Sequence, residues 1–155
     1  MTHTDLVGIA EKWLLKSVGC GLVLRELRQG TGSPEIPDAL GIKASMGVRH
    51  GSVLVECKTS RADFLVDAEK PFRIRPETGV GAFRFYLCPV GTIHPEDLPE
   101  RWGLVWVDAK GRAEQVVGPR GNIWTHTGTE FHFTQRDLAA EWGMLASAVR
   151  RLRRR

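Results

Sequence analysis

The sequence predicts one domain built on a single β-sheet with helices packed against it, of α/β or α+β class. Three observations lead there. The chain has 155 residues, enough for one core of ordinary size. Its apolar residues recur at helical spacing near both ends and gather into short β-branched blocks between them. Turn residues separate those segments, and no internal repeat or second domain is visible, so residues 1–155 read as one unit with a basic tail at 150–155.

Thr4 or Asp5 can cap a first helix, with Leu6, Ile9, Trp13 and Leu14 on one stripe; Gly19 and Gly21 end it. Leu22 to Leu27 reads as a strand, Gly30 to Pro37 as a loop, and Asp38 to Ile42 as a second short strand or its flank. A turn over Gly47 to Gly51 leads into Ser52-Val53-Leu54-Val55, a buried strand running on to Lys58. Ser60 then caps a helix with Asp63 at its third position, and that helix must stop before Pro71. Gly79-Val80-Gly81 reads as a flexible connection. Ala82 to Cys88 and Trp102 to Val107 are further strands, and Asp108 to Gly111 is a hairpin turn into Ala113 to Val117. A second capping box, Thr134 to Asp137, opens a last helix with Leu138, Trp142, Leu145, Val149 and Leu152 on one stripe.

Composition bounds the function. At 42% hydrophobic and 26% charged, without low-complexity tracts, the body is globular. The net charge of +4 and pI near 9.3 are compatible with a polyanion, but much of the excess lies in Arg150, Arg151, Arg153, Arg154 and Arg155. Cys20, Cys57 and Cys88 are odd in number and far apart, which argues against disulfides and structural zinc. No apolar run approaches spanning length and no signal peptide is seen, so the expected setting is reducing cytoplasm without a membrane.

The chemistry concentrates at Glu56-Cys57-Lys58. Side chains alternate along a strand, so Glu56 and Lys58 share a face at the end of a buried block. An acid and a lysine there need partners. A metal ion supplies one for the acid, a reacting phosphate one for the lysine, and Asp38 offers a second carboxylate. Two carboxylates suit Mg²⁺ or Mn²⁺ better than zinc. The competing interpretation is an edge-strand ion pair, with Asp38 as a turn residue after Pro37.

Pro37-Asp38 followed by Glu56-Cys57-Lys58 resembles the PD-(D/E)XK nuclease superfamily. The longer stretches Pro37 to Gly41 and Val55 to Phe64 look like a phage-associated branch similar to the MmcB-like DNA-repair nucleases. The resemblance covers roughly residues 20 to 108. It implies an α/β fold with a central mixed sheet flanked by helices, a restriction-endonuclease-like αβββαβ core, here with an added hairpin and C-terminal helix. It further implies Mg²⁺ or Mn²⁺ held by Asp38, Glu56 and the Cys57 carbonyl, with Lys58 acting on the transition state and DNA as substrate. Many members add an acid from the first helix or strand; Glu26 is the preferred candidate and Glu11 the alternative.

Arg61, just beyond the strand, could contact a phosphate, though a surface arginine is the preferred interpretation; Lys70 and Arg73, with Arg75 and Arg84, form a scattered basic set that could line a DNA groove. Arg153 and Arg154 could add sequence-independent phosphate contacts. Ordinary surface charge explains such sets equally well. His126 and His132 fit no zinc template. Among the tryptophans, Trp13, Trp102, Trp106 and Trp142 fit core packing, and Trp124 is left open as a base-stacking candidate. Two rivals stand beside the nuclease: a non-catalytic nucleic-acid-binding module, and a phage accessory protein that keeps the fold. The oligomeric state is open, a homodimer included.

Overall fold

The first helix begins earlier than expected. Thr2, not Thr4 or Asp5, is the N-cap: its side chain accepts from the Asp5 backbone, and Asp5 reaches back to the Thr2 backbone at 2.7 Å. The computed structural model describes residues 1–25, 27, 35–45 and 50–155. Helix α1 (His3–Trp13) runs into a π-helical turn (Leu14–Val18) that Gly19 closes in the left-handed region, φ +82°.

Six strands follow: β1 (Leu22–Arg25), β2 (Ala39–Lys43), β3 (Gly51–Cys57), β4 (Phe83–Pro89), β5 (Gly103–Val107) and β6 (Ala113–Val117). They lie in the sheet in chain order, with β3–β4 and β4–β5 parallel and the other pairs antiparallel. Helices α2 (Arg61–Ala68) and α3 (Pro71–Ile74) make the crossover that a parallel β3–β4 pair requires. Helix α4 (Leu138–Leu152) closes the chain. The fold is therefore α/β, with a mixed sheet covered on both faces.

The period of two sorts each strand between two cores. Val53, Val55, Phe83, Phe85 and Leu87 face Leu6, Ala10, Trp13 and Leu14 on the α1 side. Leu40, Leu54, Tyr86, Cys88 and Leu104 face Phe64, Trp102, Ala140 and Met144 on the other. Two glycines are required by close approach. At Gly81, φ is +96° and a Cβ would stand 2.7 Å from that of Leu54; at Gly103 it would strike the Phe85 ring at 2.3 Å.

Several expectations change. The N-cap of α4 is Asp137, whose side chain accepts from Ala140, and not Thr134. The stripe read as its core face is largely solvent-facing, because Ala140, Glu141 and Met144 are the residues that dock. Trp142 is accordingly 75% exposed. Trp124 is buried, its Nε1 donating to the Val18 carbonyl at 2.9 Å. Val80, between Gly79 and Gly81, is fully buried and tied down by its backbone N–H. The turn over Gly47 to Gly51 falls mostly outside the described residues.

Candidate active site

Strands β2 and β3 build the site. Their register pairs Ala39 with Val55, and one further step sets Asp38 opposite Glu56. Asp38 Oδ2 accepts the Cys57 N–H at 2.8 Å, and Oδ1 lies 3.1 Å from His3 Nε2 at the start of α1. Glu56, Cys57 and Lys58 stand at the carboxyl end of β3, beside parallel β4. In open α/β sheets, ligands bind at such strand ends.

Glu56 and Lys58 are both buried and lie on the face covered by α2 and α3. Lys58 Nζ is 3.6 Å from Glu56 Oε2 and donates to Asp67 Oδ1 at 3.2 Å. Asp67, in α2, is fully buried. It also accepts from Tyr86 OH at 2.6 Å, from Arg73 Nε at 2.8 Å, and pairs with Lys70 Nζ at 2.9 Å. Arg73 joins the acids: it donates to Glu35, and its Nη2 lies 3.2 Å from Glu56 Oε1 without hydrogen-bond alignment. Glu35 Oε2 in turn accepts the Val80 N–H at 2.8 Å. The Arg73 guanidinium also lies over the Trp102 and Phe72 rings, 4.7 and 4.8 Å from their centroids. Three buried carboxylates thus interlock with two buried cations, with Lys70 at the rim.

The protonation pattern follows. Burial, reinforced by the Asp38 charge, pushes the Glu56 carboxyl up to about 8 against the pull of Arg73 and Lys58. Burial also pushes Asp67 upward, but Arg73, the Tyr86 hydroxyl and Lys58 prevail and hold it well below the usual carboxylate range. For Lys58, burial is outweighed by Glu56 and Asp67, so its pKa is raised and it remains a cation.

The structure brings Asp38, Glu56 and Lys58 together at one end of β3, with the Cys57 N–H bonded to Asp38. Glu26 lies outside the described residues. Glu11 is not gathered here; it pairs with Arg25 at 3.3 Å. Arg73 requires correction: its side chain is 2% exposed and consumed by acids, so it is an internal tether and not a phosphate contact. Arg84 is likewise buried, donating to the Gly81 and Pro76 carbonyls, with burial lowering its pKa to about 10. Arg61 directs both ends of its guanidinium at Asp97, 2.6 and 2.8 Å away. Lys70 is partly exposed but bound to Asp67, and Arg153 and Arg154 are exposed beyond α4.

Four contributors escaped the sequence. Asp67 had a signal, an acid three residues after Phe64 on the buried stripe of α2. Tyr86 shares the β4 face with Arg84, opposite the Phe83–Phe85–Leu87 set that the alternation emphasised. His3 and Glu35 carry no local signal, since both reach the site through tertiary packing. Among the described residues no group of three or more His, Cys, Asp and Glu could together hold a metal. Compared with known proteins, the chain matches no family model, and no curated protein or solved structure is significantly similar to it.

Proposed function

We propose that this chain is a metal-dependent nuclease of PD-(D/E)XK type that hydrolyses phosphodiester bonds in DNA. The supporting observation is the meeting of Asp38, Glu56 and Lys58 at adjacent strand ends, where the Asp38 charge helps raise the Glu56 carboxyl to about 8. Burial and the Asp38 charge keep the proton on Glu56 up to about 8, and a hard divalent cation would take that proton's place between the two acids. Mg²⁺ commonly binds through one or two carboxylates and fills its remaining positions with water and substrate phosphate. Asp38 and Glu56 would hold it, with the Cys57 carbonyl as the resemblance implies. Bound there, the ion supplies acidification of a water and neutralisation of charge at the scissile phosphate.

The chain's own residues do the rest. Lys58 is a fixed cation because Glu56 and Asp67 outweigh its burial, and from its place at the end of β3 it would stabilise developing phosphoryl charge. Asp67, gripped by Tyr86 and Arg73, holds that ammonium in place. Arg73 draws on Glu56 and so competes with the cation. His3 orients Asp38 at the rim. A phage or DNA-repair setting is part of the same proposal.

One observation favours the rival binding or accessory module: Glu56 already has Arg73 and Lys58 as counter-charges, so the cluster is self-contained without metal. The experiment that separates them is Mg²⁺- or Mn²⁺-dependent degradation of plasmid, single-stranded and branched DNA by the wild type, Glu56→Gln and Lys58→Ala. The nuclease reading expects cleavage by the wild type alone, with DNA binding retained in all three. Absence of cleavage by the wild type, or equal cleavage by both variants, removes it.

A further inference from the structure

Helix α4 carries a stripe that the fold leaves uncovered. Leu138, Trp142, Val149 and Leu152 are 52%, 75%, 51% and 69% exposed, and Leu145 between them is half-buried. Their spacing, alternately four and three residues, is the 3.5-residue repeat of a coiled-coil seam. An apolar strip of this size is at the upper end of what a single chain's surface carries, and such patches are often interaction sites.

We propose that α4 is a self-association face through which two copies of this chain pair antiparallel about a two-fold axis beside Leu145. Three observations select a second copy. First, with the axis beside Leu145, reversal sets Leu138 against the partner's Leu152 and brings Trp142 within one residue of the partner's Val149, so the stripe is nearly self-complementary, as a two-fold interface demands. Second, the four exposed side chains supply roughly 500 Å² per copy, about 1,000 Å² for the pair, which reaches the threshold of a specific but weak interface. Third, the stripe is narrow and bordered by Ala139 and Ala146, which let helices approach closely, whereas helices that lie on membranes present a wide apolar face.

Charge decides the orientation. Five of the last six residues are arginine. A parallel pair would crowd the two runs together. Antiparallel pairing sets the two copies of Arg153 about 24 Å apart at 1.5 Å per residue. That is well beyond the screening length of about 8 Å at physiological ionic strength. None of this rests on the nuclease reading.

Sedimentation velocity of the full chain over a dilution series tests it. The wild type is expected to rise from one-chain to two-chain mass with concentration. Trp142→Glu and Val149→Glu should each stay at one-chain mass, with unchanged circular dichroism because both positions are exposed, and with the wild-type thermal midpoint at dilutions where the wild type is a single chain. All three native cysteines are buried, so a thiol introduced at exposed Ala146 is accessible for disulfide trapping. Ala146→Cys should cross-link and Leu152→Cys should not. One-chain mass at every concentration, or a dimer that survives both glutamate variants, overturns the proposal. So does preferential cross-linking through Leu152→Cys. One-chain mass together with co-sedimentation on phosphatidylglycerol vesicles, lost in Trp142→Glu, assigns the stripe to a membrane surface instead.

Discussion

Glu56→Gln should stabilise the protein in alkaline solution and leave it nearly unchanged in acid. The Glu56 carboxyl is raised from 4.5 to about 8, chiefly by burial and then by Asp38. The sign follows from proton counting. Below about pH 4.5 both folded and unfolded states carry the proton. Between 4.5 and 8 the unfolded chain releases it and the folded chain retains it, so stability falls by about 1.4 kcal/mol per pH unit. Above about 8 the penalty levels off at no more than about 5 kcal/mol. Glutamine keeps the shape and cannot ionise, so it removes that slope. The gain should grow from near zero at pH 4.5 to several kcal/mol at pH 8, a large share of a typical 5–15 kcal/mol total. Urea denaturation followed by tryptophan fluorescence at three pH values reads it, since Trp13, Trp102 and Trp124 are buried. A loss of stability in the variant that grows with pH would refute the reasoning: it would mean that the pairs with Arg73 and Lys58 outweigh desolvation.

Asp67→Asn should act in the opposite sense, costing about 3–5 kcal/mol at neutral pH by leaving Arg73 and Lys58 under-compensated. The Asp67 carboxyl is depressed, so its contribution is present above its ordinary pKa of 3.8 and lost as pH falls, and the variant's deficit should shrink in acid. An equal deficit at pH 3 and pH 7 would contradict this. Gly103→Ala should lower the thermal midpoint by about 2–12 °C, because a Cβ there meets Phe85 at 2.3 Å and the Val117 carbonyl at 2.9 Å, and such overpacking costs about 1–3 kcal/mol. An unchanged midpoint in calorimetry would show that the ring moves aside freely. On the proposed nuclease function, replacing Arg153, Arg154 and Arg155 with alanine should weaken DNA binding and reduce the slope of log affinity against log salt by about 0.9 for each phosphate no longer neutralised, without altering the chemical step. Equal slopes would leave the run as a helix terminus favoured by the macrodipole.

The strands and the crossover helix were legible because they depend on local periodicity. Val53, Leu54 and Val55 can only be buried, and the alternation after them fixes Glu56 and Lys58 to one face whatever else the chain does. Ser60 announced α2 because capping is a contact over three residues. What the sequence could not carry was which surface each element turns inward. The stripe Leu138–Trp142–Val149–Leu152 is as apolar as a core face, yet α4 docks through Ala140 and Met144, a small residue beside a flexible one that fills the space against the sheet. Trp142 is exposed for that reason, whereas Trp124 is buried on the other face of the sheet, in the core beside α1. Arg73 looked like surface charge because its nearby acids give no sign of burial; Glu35 and Glu56 arrive from distant segments and join Asp67 around it. The sequence alone determined most of the elements, because those follow from nearest neighbours, and it offered Asp38, Glu56 and Lys58 as candidates through a resemblance in motif. Only the tertiary structure decided which charges are desolvated and what neutralises them, because desolvation depends on everything packed around a group, however distant along the chain.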